Sequence, residues 1–82
     1  MTPDLVHQIH RLIDEGIFPL HSSVSEHTDL FAEGLDSLAL MQAIVLLEME
    51  FSITILPEDL DRTNFSTLAN IAELVRRKAS LP

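Results

Sequence analysis

The feature that most constrains this chain is the stretch from Ser37 to Glu50, which contains no Gly, Pro or Asn. Apolar residues stand at Leu38, Leu40, Met41, Ala43, Ile44, Val45, Leu46, Leu47 and Met49, with Phe51 just beyond. They cover more than one helical stripe, which predicts a helix packed centrally among several neighbours. Two flanking stretches offer such neighbours. Leu5, Val6, Ile9, Leu12 and Ile13 recur at helical spacing, with Thr2 as cap, Pro3 in the first turn and Gly16 as the stop. Leu68, Ile71, Ala72 and Val75 form a third stripe, capped by Ser66 and closed by Arg76, Arg77 and Lys78, where cations suit the helix dipole.

The segments between these helices are less regular. Residues 17–36 carry Pro19, Gly34 and a polar run, so they read as a long loop pinned by Ile17, Phe18, Leu20, Val24, Leu30 and Phe31. Loops of that length inside a compact domain are often functional. Ile53-Thr54-Ile55 alternates like a strand without a partner and reads as an extended connector. Pro57 opens a short helical turn from Glu58 to Asp61. The expected architecture is all-α: a single domain over residues 1–82, a small four-helix bundle of three main helices and one short helix. With no cysteine, neither a disulfide nor a thiolate metal site supports it.

Charge narrows the function classes. Thirteen acids face five Lys plus Arg, for a formal net charge of -8, and no Lys or Arg stands between Arg11 and Arg62. Nucleic acid and anionic membranes require basic patches, so neither is an expected partner. No apolar run reaches the ~18 residues that span a bilayer, and Met1-Thr2-Pro3-Asp4 lacks the features of a signal peptide. The expected location is the cytoplasm. His7 and His10 lie one helical turn apart, but on the polar face of a surface helix, so no metal site is expected.

The chemistry-bearing segment is Gly34-Leu35-Asp36-Ser37-Leu38. Gly34 permits a tight turn, Asp36 can cap the following helix, and Ser37 falls in its first turn. Unpaired N–H groups and the positive dipole end accommodate a phosphate there. The same residues also make an ordinary helix cap, and local chemistry alone leaves both readings open. Nucleophilic catalysis by Ser37 is disfavoured, because the segment is not a Gly-x-Ser-x-Gly elbow and no histidine is placed beside it. An unmodified acidic helical adaptor, docking on basic partners, is the alternative function.

The Gly34–Leu38 segment resembles the attachment motif of the acyl carrier protein family, which includes peptidyl and aminoacyl carriers. The likeness extends over nearly the whole chain, through the long first loop, Glu48-Met49-Glu50-Phe51 and the Ile53–Pro57 connector. It implies a non-catalytic carrier and cosubstrate. Its 4′-phosphopantetheine arm, taken from coenzyme A by a phosphopantetheinyl transferase, is attached to Ser37, with Gly34, Leu35, Asp36 and Leu38 completing the motif. The arm's thiol holds acyl or aminoacyl groups as thioesters for fatty acid, polyketide or nonribosomal peptide biosynthesis. The implied partners are an acyl or amino-acid ligase and downstream transferases, and a monomer is the expected state.

Two departures from fatty acid carriers are informative. No acid follows Ser37 before Glu48, so the docking face is more apolar, with Leu38 as a contact, Met41 readable equally as a contact or as core, and Leu40 assigned to the core. Glu33 precedes Gly34 where Leu is usual. The segment from Leu60 to Leu68 resembles D-alanyl carriers and stand-alone carriers charged by amino-acid ligases. That likeness leans toward aminoacyl cargo, with Phe65 anchoring the loop and Asp61 and Arg62 bordering the exit of the arm; Met41, Glu48, Asp61 and Arg62 are the expected partner-docking residues.

Overall fold

The computed structural model describes residues 4–21 and 23–79. Helix α1 spans Leu5–Gly16, α2 Leu30–Glu33, α3 Ser37–Phe51, α4 Arg62–Phe65 and α5 Leu68–Ala79, with a single 3-10 turn at Pro57–Asp59. The three long helices are those expected. The two short α-helices divide segments that read as irregular, and no strand occurs among the described residues.

Helix α1 starts two residues later than the Thr2–Pro3 reading places it. Its cap is Asp4, whose Oδ1 accepts the His7 N–H at 3.0 Å; Thr2 and Pro3 lie outside the described residues. Gly16 is the last helical residue, and its role is close approach. A Cβ there would come within 2.9 Å of Leu46 Cδ1 on α3. The Asp14 carboxylate then accepts the Leu20 N–H at 2.8 Å and folds the chain back over the helix end.

The long loop is fastened at both ends of its second half. The Leu30 N–H donates to Ser66 O at 2.7 Å, and the Ala69 N–H donates to Glu26 O at 2.9 Å. Leu20 and Leu30 are buried, and Ile17, Phe18, Val24 and Phe31 pack against the core as partly buried residues. Asp29 caps α2 through the Phe31 N–H at 3.0 Å, and Gly34 closes it.

Helix α3 corrects an expectation. It is not buried on most sides: its fully buried residues are Ala39, Ala43 and Leu47, with Leu40, Ile44 and Phe51 partly covered. The small alanines let α3 lie close to its neighbours, and α1 packs against both α3 and α5. Leu38, Met41, Val45 and Met49 are left facing outward.

After α3, Ser52 takes the left-handed conformation (φ 54°) and turns the chain. Ile53 and Ile55 plug into the core. The Ile55 N–H donates to Glu48 Oε2 at 2.9 Å, which ties the connector to the end of α3. Helix α5 is capped by Thr67, whose Oγ1 accepts the Asn70 N–H at 3.0 Å, and not by Ser66. The Ser66 hydroxyl donates instead to Thr63 O at 3.1 Å.

The basic end of α5 has tertiary partners. Lys78 pairs with Asp59 at 2.6 Å, and Arg77 donates to Asn64 Oδ1 at 3.2 Å. The Lys78 ammonium, and next the Leu56 N–H, hold the Asp59 carboxyl below the usual carboxylate range. The folded chain therefore binds that proton less readily than the unfolded chain. The stabilisation is complete above the unfolded carboxylate pKa and is lost as pH falls through the lower folded value. The urea midpoint should fall on acidification across that window, and Asp59→Asn should flatten the fall. An equally steep acid limb in the variant would assign the loss to other carboxylates.

Candidate functional site

Three features place Ser37. Gly34 adopts φ +131°, which L side chains rarely adopt, and a Cβ there would meet the Phe18 ring at 3.4 Å. Leu35 turns inward and is buried, its N–H donating to Leu30 O at 3.0 Å. Asp36 is the N-cap of α3, its Oδ1 accepting the Ala39 N–H at 2.9 Å. Ser37 is thereby the first residue of α3, and it is exposed.

The end of α3 is electrostatically receptive. Helical bonding begins with the Leu40 N–H donating to Asp36 O at 2.8 Å, and the Ala39 N–H is taken by the cap. The N–H groups of Ser37 and Leu38 precede that first bond and point out of the helix end, where a negative group is favoured. Beside them lies a surface groove of about 390 Å³ lined by Phe31, Leu35, Asp36, Ser37, Leu40 and Arg62. The Arg62 guanidinium carbon stands 4.2 Å from the centre of the Phe31 ring. A serine oxygen open to solvent, a rigid helix beneath it and an adjoining half-apolar groove fit an extended phosphate-linked arm.

A second surface adjoins this groove. Leu38, Met41, Val45 and Met49 are 66%, 65%, 53% and 75% exposed, and they lie along one face of α3 starting next to Ser37. Gly16, Leu38, Met41, Gln42, Val45 and Leu46 line a shallow apolar depression there.

The residues singled out in the sequence divide cleanly. Gly34, Leu35, Asp36, Ser37 and Leu38 form one continuous site, Met41 extends it, and Arg62 reaches it from α4. Asp61 caps α4, accepting the Asn64 N–H at 2.7 Å, and is exposed beside Arg62. Glu48 is part-buried at the far end of α3 and engaged by Ile55. Phe31, Val45 and Met49 escaped the sequence reading. For Val45 and Met49 the signal existed, because they repeat at helical spacing from Leu38 and Met41. For Phe31 there was none. Among the described residues no group of three or more His, Asp or Glu is arranged to hold a metal ion.

A helical bundle with an exposed serine at the head of its longest helix is the arrangement expected of a carrier protein, and the comparisons with known proteins show that class. The model of the phosphopantetheine attachment site family matches residues 16–75, most of the chain, and the protein belongs to that family. Its prosthetic group is therefore a covalently attached 4′-phosphopantetheine. No curated protein sequence matches the chain.

Solved structures agree on the fold. One is a chain from the crystal structure of an engineered Bradyrhizobium japonicum glycine:[carrier protein] ligase complexed with carrier protein from Agrobacterium tumefaciens and ATP. It has a TM-score of 0.79 and 25% identity, over 90% of this chain and 99% of that one. A second comes from the B. japonicum ligase complexed with glycylated carrier protein, with a TM-score of 0.66 and 17% identity over 84% and 90% of the two chains. A third comes from the same ligase with its cognate carrier protein and an analogue of glycyl adenylate. Its TM-score is 0.68 at 18% identity, over 88% and 91%.

Proposed function

We propose that the protein is a non-catalytic aminoacyl carrier whose 4′-phosphopantetheine is attached through Ser37 Oγ. The observation that carries this reading is the placement of Ser37: exposed, at the first position of α3, in the only motif of the chain that matches carrier attachment. Asp36 fixes the helix end, Gly34 and the buried Leu35 hold the approaching loop, and the groove beside Ser37 receives the first bonds of the arm. The bound arm supplies a thiol that carries cargo as a thioester. The chain itself has no cysteine, so cargo chemistry rests on that thiol.

Aminoacyl cargo is supported by the 25% identity to the structure solved with a glycine:[carrier protein] ligase, over nearly the full length of both chains. The groove contains no histidine, and catalysis is assigned to the partners: a phosphopantetheinyl transferase, an amino-acid ligase and a downstream transferase. Residues 1–82 act as one carrier domain, a monomer in the cytoplasm, where coenzyme A supplies the arm.

Incubation with coenzyme A and a broad-specificity phosphopantetheinyl transferase should add the mass of one phosphopantetheine. The modified protein should then gain the mass of one amino acid with ATP and an amino-acid ligase, and none with acyl ligases and fatty acids. No gain in the first step sinks the carrier reading; fatty acyl loading alone overturns the cargo.

The exposed face of α3 supports a docking role for Leu38 and Met41. Met41→Asp places a charge at the centre of that face without touching the core. The KM for ligase loading should rise about tenfold, the loss of one well-packed interface contact, while the melting temperature stays near wild type. An unchanged KM would move the docking surface elsewhere.

A further inference from the structure

Among the described residues Arg62 makes no ion pair, although the Asp61 carboxylate is its sequence neighbour and Asp36 lines the same groove. Of the other bases, Arg11 pairs with Glu15, Arg76 with Glu73 and Lys78 with Asp59, and Arg77 donates to Asn64. Among the described residues Arg62 has no carboxylate at ion-pair distance. Its guanidinium lies over the Phe31 ring instead. A guanidinium over an aromatic face makes a cation–π contact that still leaves N–H donors for other partners. Arg62 lines the groove that also contains Ser37. A protein of net charge -8 with no other Lys or Arg between Arg11 and Arg76 thus keeps one cation, without an ion pair, in the groove of Ser37.

We propose that Arg62 is a positioning residue for the phosphodiester of the holo-protein, donating to its non-bridging oxygens and holding the root of the arm along the groove between Phe31 and Leu40. This rests on the assignment of Ser37 as the attachment residue. A phosphodiester adds a negative charge next to the Asp36 carboxylate. The planar fork of a guanidinium matches two phosphate oxygens at once and offsets that repulsion. Phe31 acts through Arg62, as the surface that keeps the fork turned toward Ser37. The pair is exposed to solvent, so its effect is modest and is screened by salt.

The test compares apo and holo forms of wild type, Arg62→Gln and Arg62→Lys, after intact mass has verified modification of each. Arg62 is exposed, so the apo variants should melt near wild type. At low ionic strength the holo-minus-apo melting difference should be more positive in wild type than in Arg62→Gln by a few degrees. About 0.5 M salt should shrink that gap, and Arg62→Lys should recover part of it. The Nε–Hε resonance of Arg62 should shift on modification of the wild type. An equal melting difference in Arg62→Gln with an unmoved resonance overturns the proposal. The same result with slower ligase loading also overturns it, and makes Arg62 a docking residue. Failure of wild type to gain mass would strike the Ser37 assignment instead, and is read before any melt.

Discussion

Replacing Ser37 by alanine is expected to abolish phosphopantetheine transfer completely while leaving the fold intact. Both halves follow from where the residue sits. Among the described residues its oxygen is the only hydroxyl lining the groove at the head of α3, so its loss removes the proposed acceptor of the phosphate outright. The helix does not depend on it, because the cap is the Asp36 carboxylate and the side chain of Ser37 is exposed. Alanine is also a better helix former than serine. Intact mass after incubation with coenzyme A and transferase should show full conversion of wild type and none of Ser37→Ala, with matching helical circular dichroism and melting temperatures. A mass gain that persists in the variant would move the attachment to another residue. Asp36→Ala is the complementary case. It should cost about 1 kcal/mol of stability through the lost cap, yet leave the acceptor oxygen in place.

Phe65→Ala should be the most damaging single core substitution. Phe65 is 0% exposed and is the largest fully buried side chain. It anchors α4 against α5, between Asp61 and the loop contact at Ser66. Truncating a buried Phe to Ala costs about 3–5 kcal/mol, whereas a domain of this size has a total stability of roughly 4–12 kcal/mol. The urea midpoint should therefore collapse, and a large fraction of chains should be unfolded in buffer. Phe65→Leu, which keeps most of the apolar volume, should retain a cooperative transition. A loss below about 1 kcal/mol in the alanine variant would show that the surrounding residues close over the site.

Much of this molecule was legible before its structure, and the gaps have physical causes. The stripes of α1 and α5 are clean because each helix has a polar face, so period alone selects the buried side. Helix α3 is apolar around most of its circumference, and period could not tell core from surface. What decided it was size: Ala39 and Ala43 face the bundle because only small side chains let the helices approach there. Helix α2 spans a single turn, too short for any periodicity. Its local signals are Asp29 as cap and Gly34 as stop. Adjacent Ser66 and Thr67 are both capable caps, and in the folded chain the Thr67 hydroxyl takes the cap while the Ser66 hydroxyl donates to Thr63 O. At the site, the continuous stretch Gly34–Leu38 could be found because its parts are neighbours in sequence. The stacking of Arg62 on Phe31 joins residues from two different helices and exists only in the folded chain. Glu48, read as partner-facing, is held by an amide seven residues away, a use that composition cannot reveal.

The outward row from Leu38 to Met49 and the serine at its head lie on one straight rod. At 1.5 Å per residue, Met49 is roughly 18 Å from Ser37 along the axis. On the proposed attachment at Ser37 and docking along this row, a partner's grip would also set the distance from which the tether leaves, so that clients would be sorted by geometry before any cargo is exchanged.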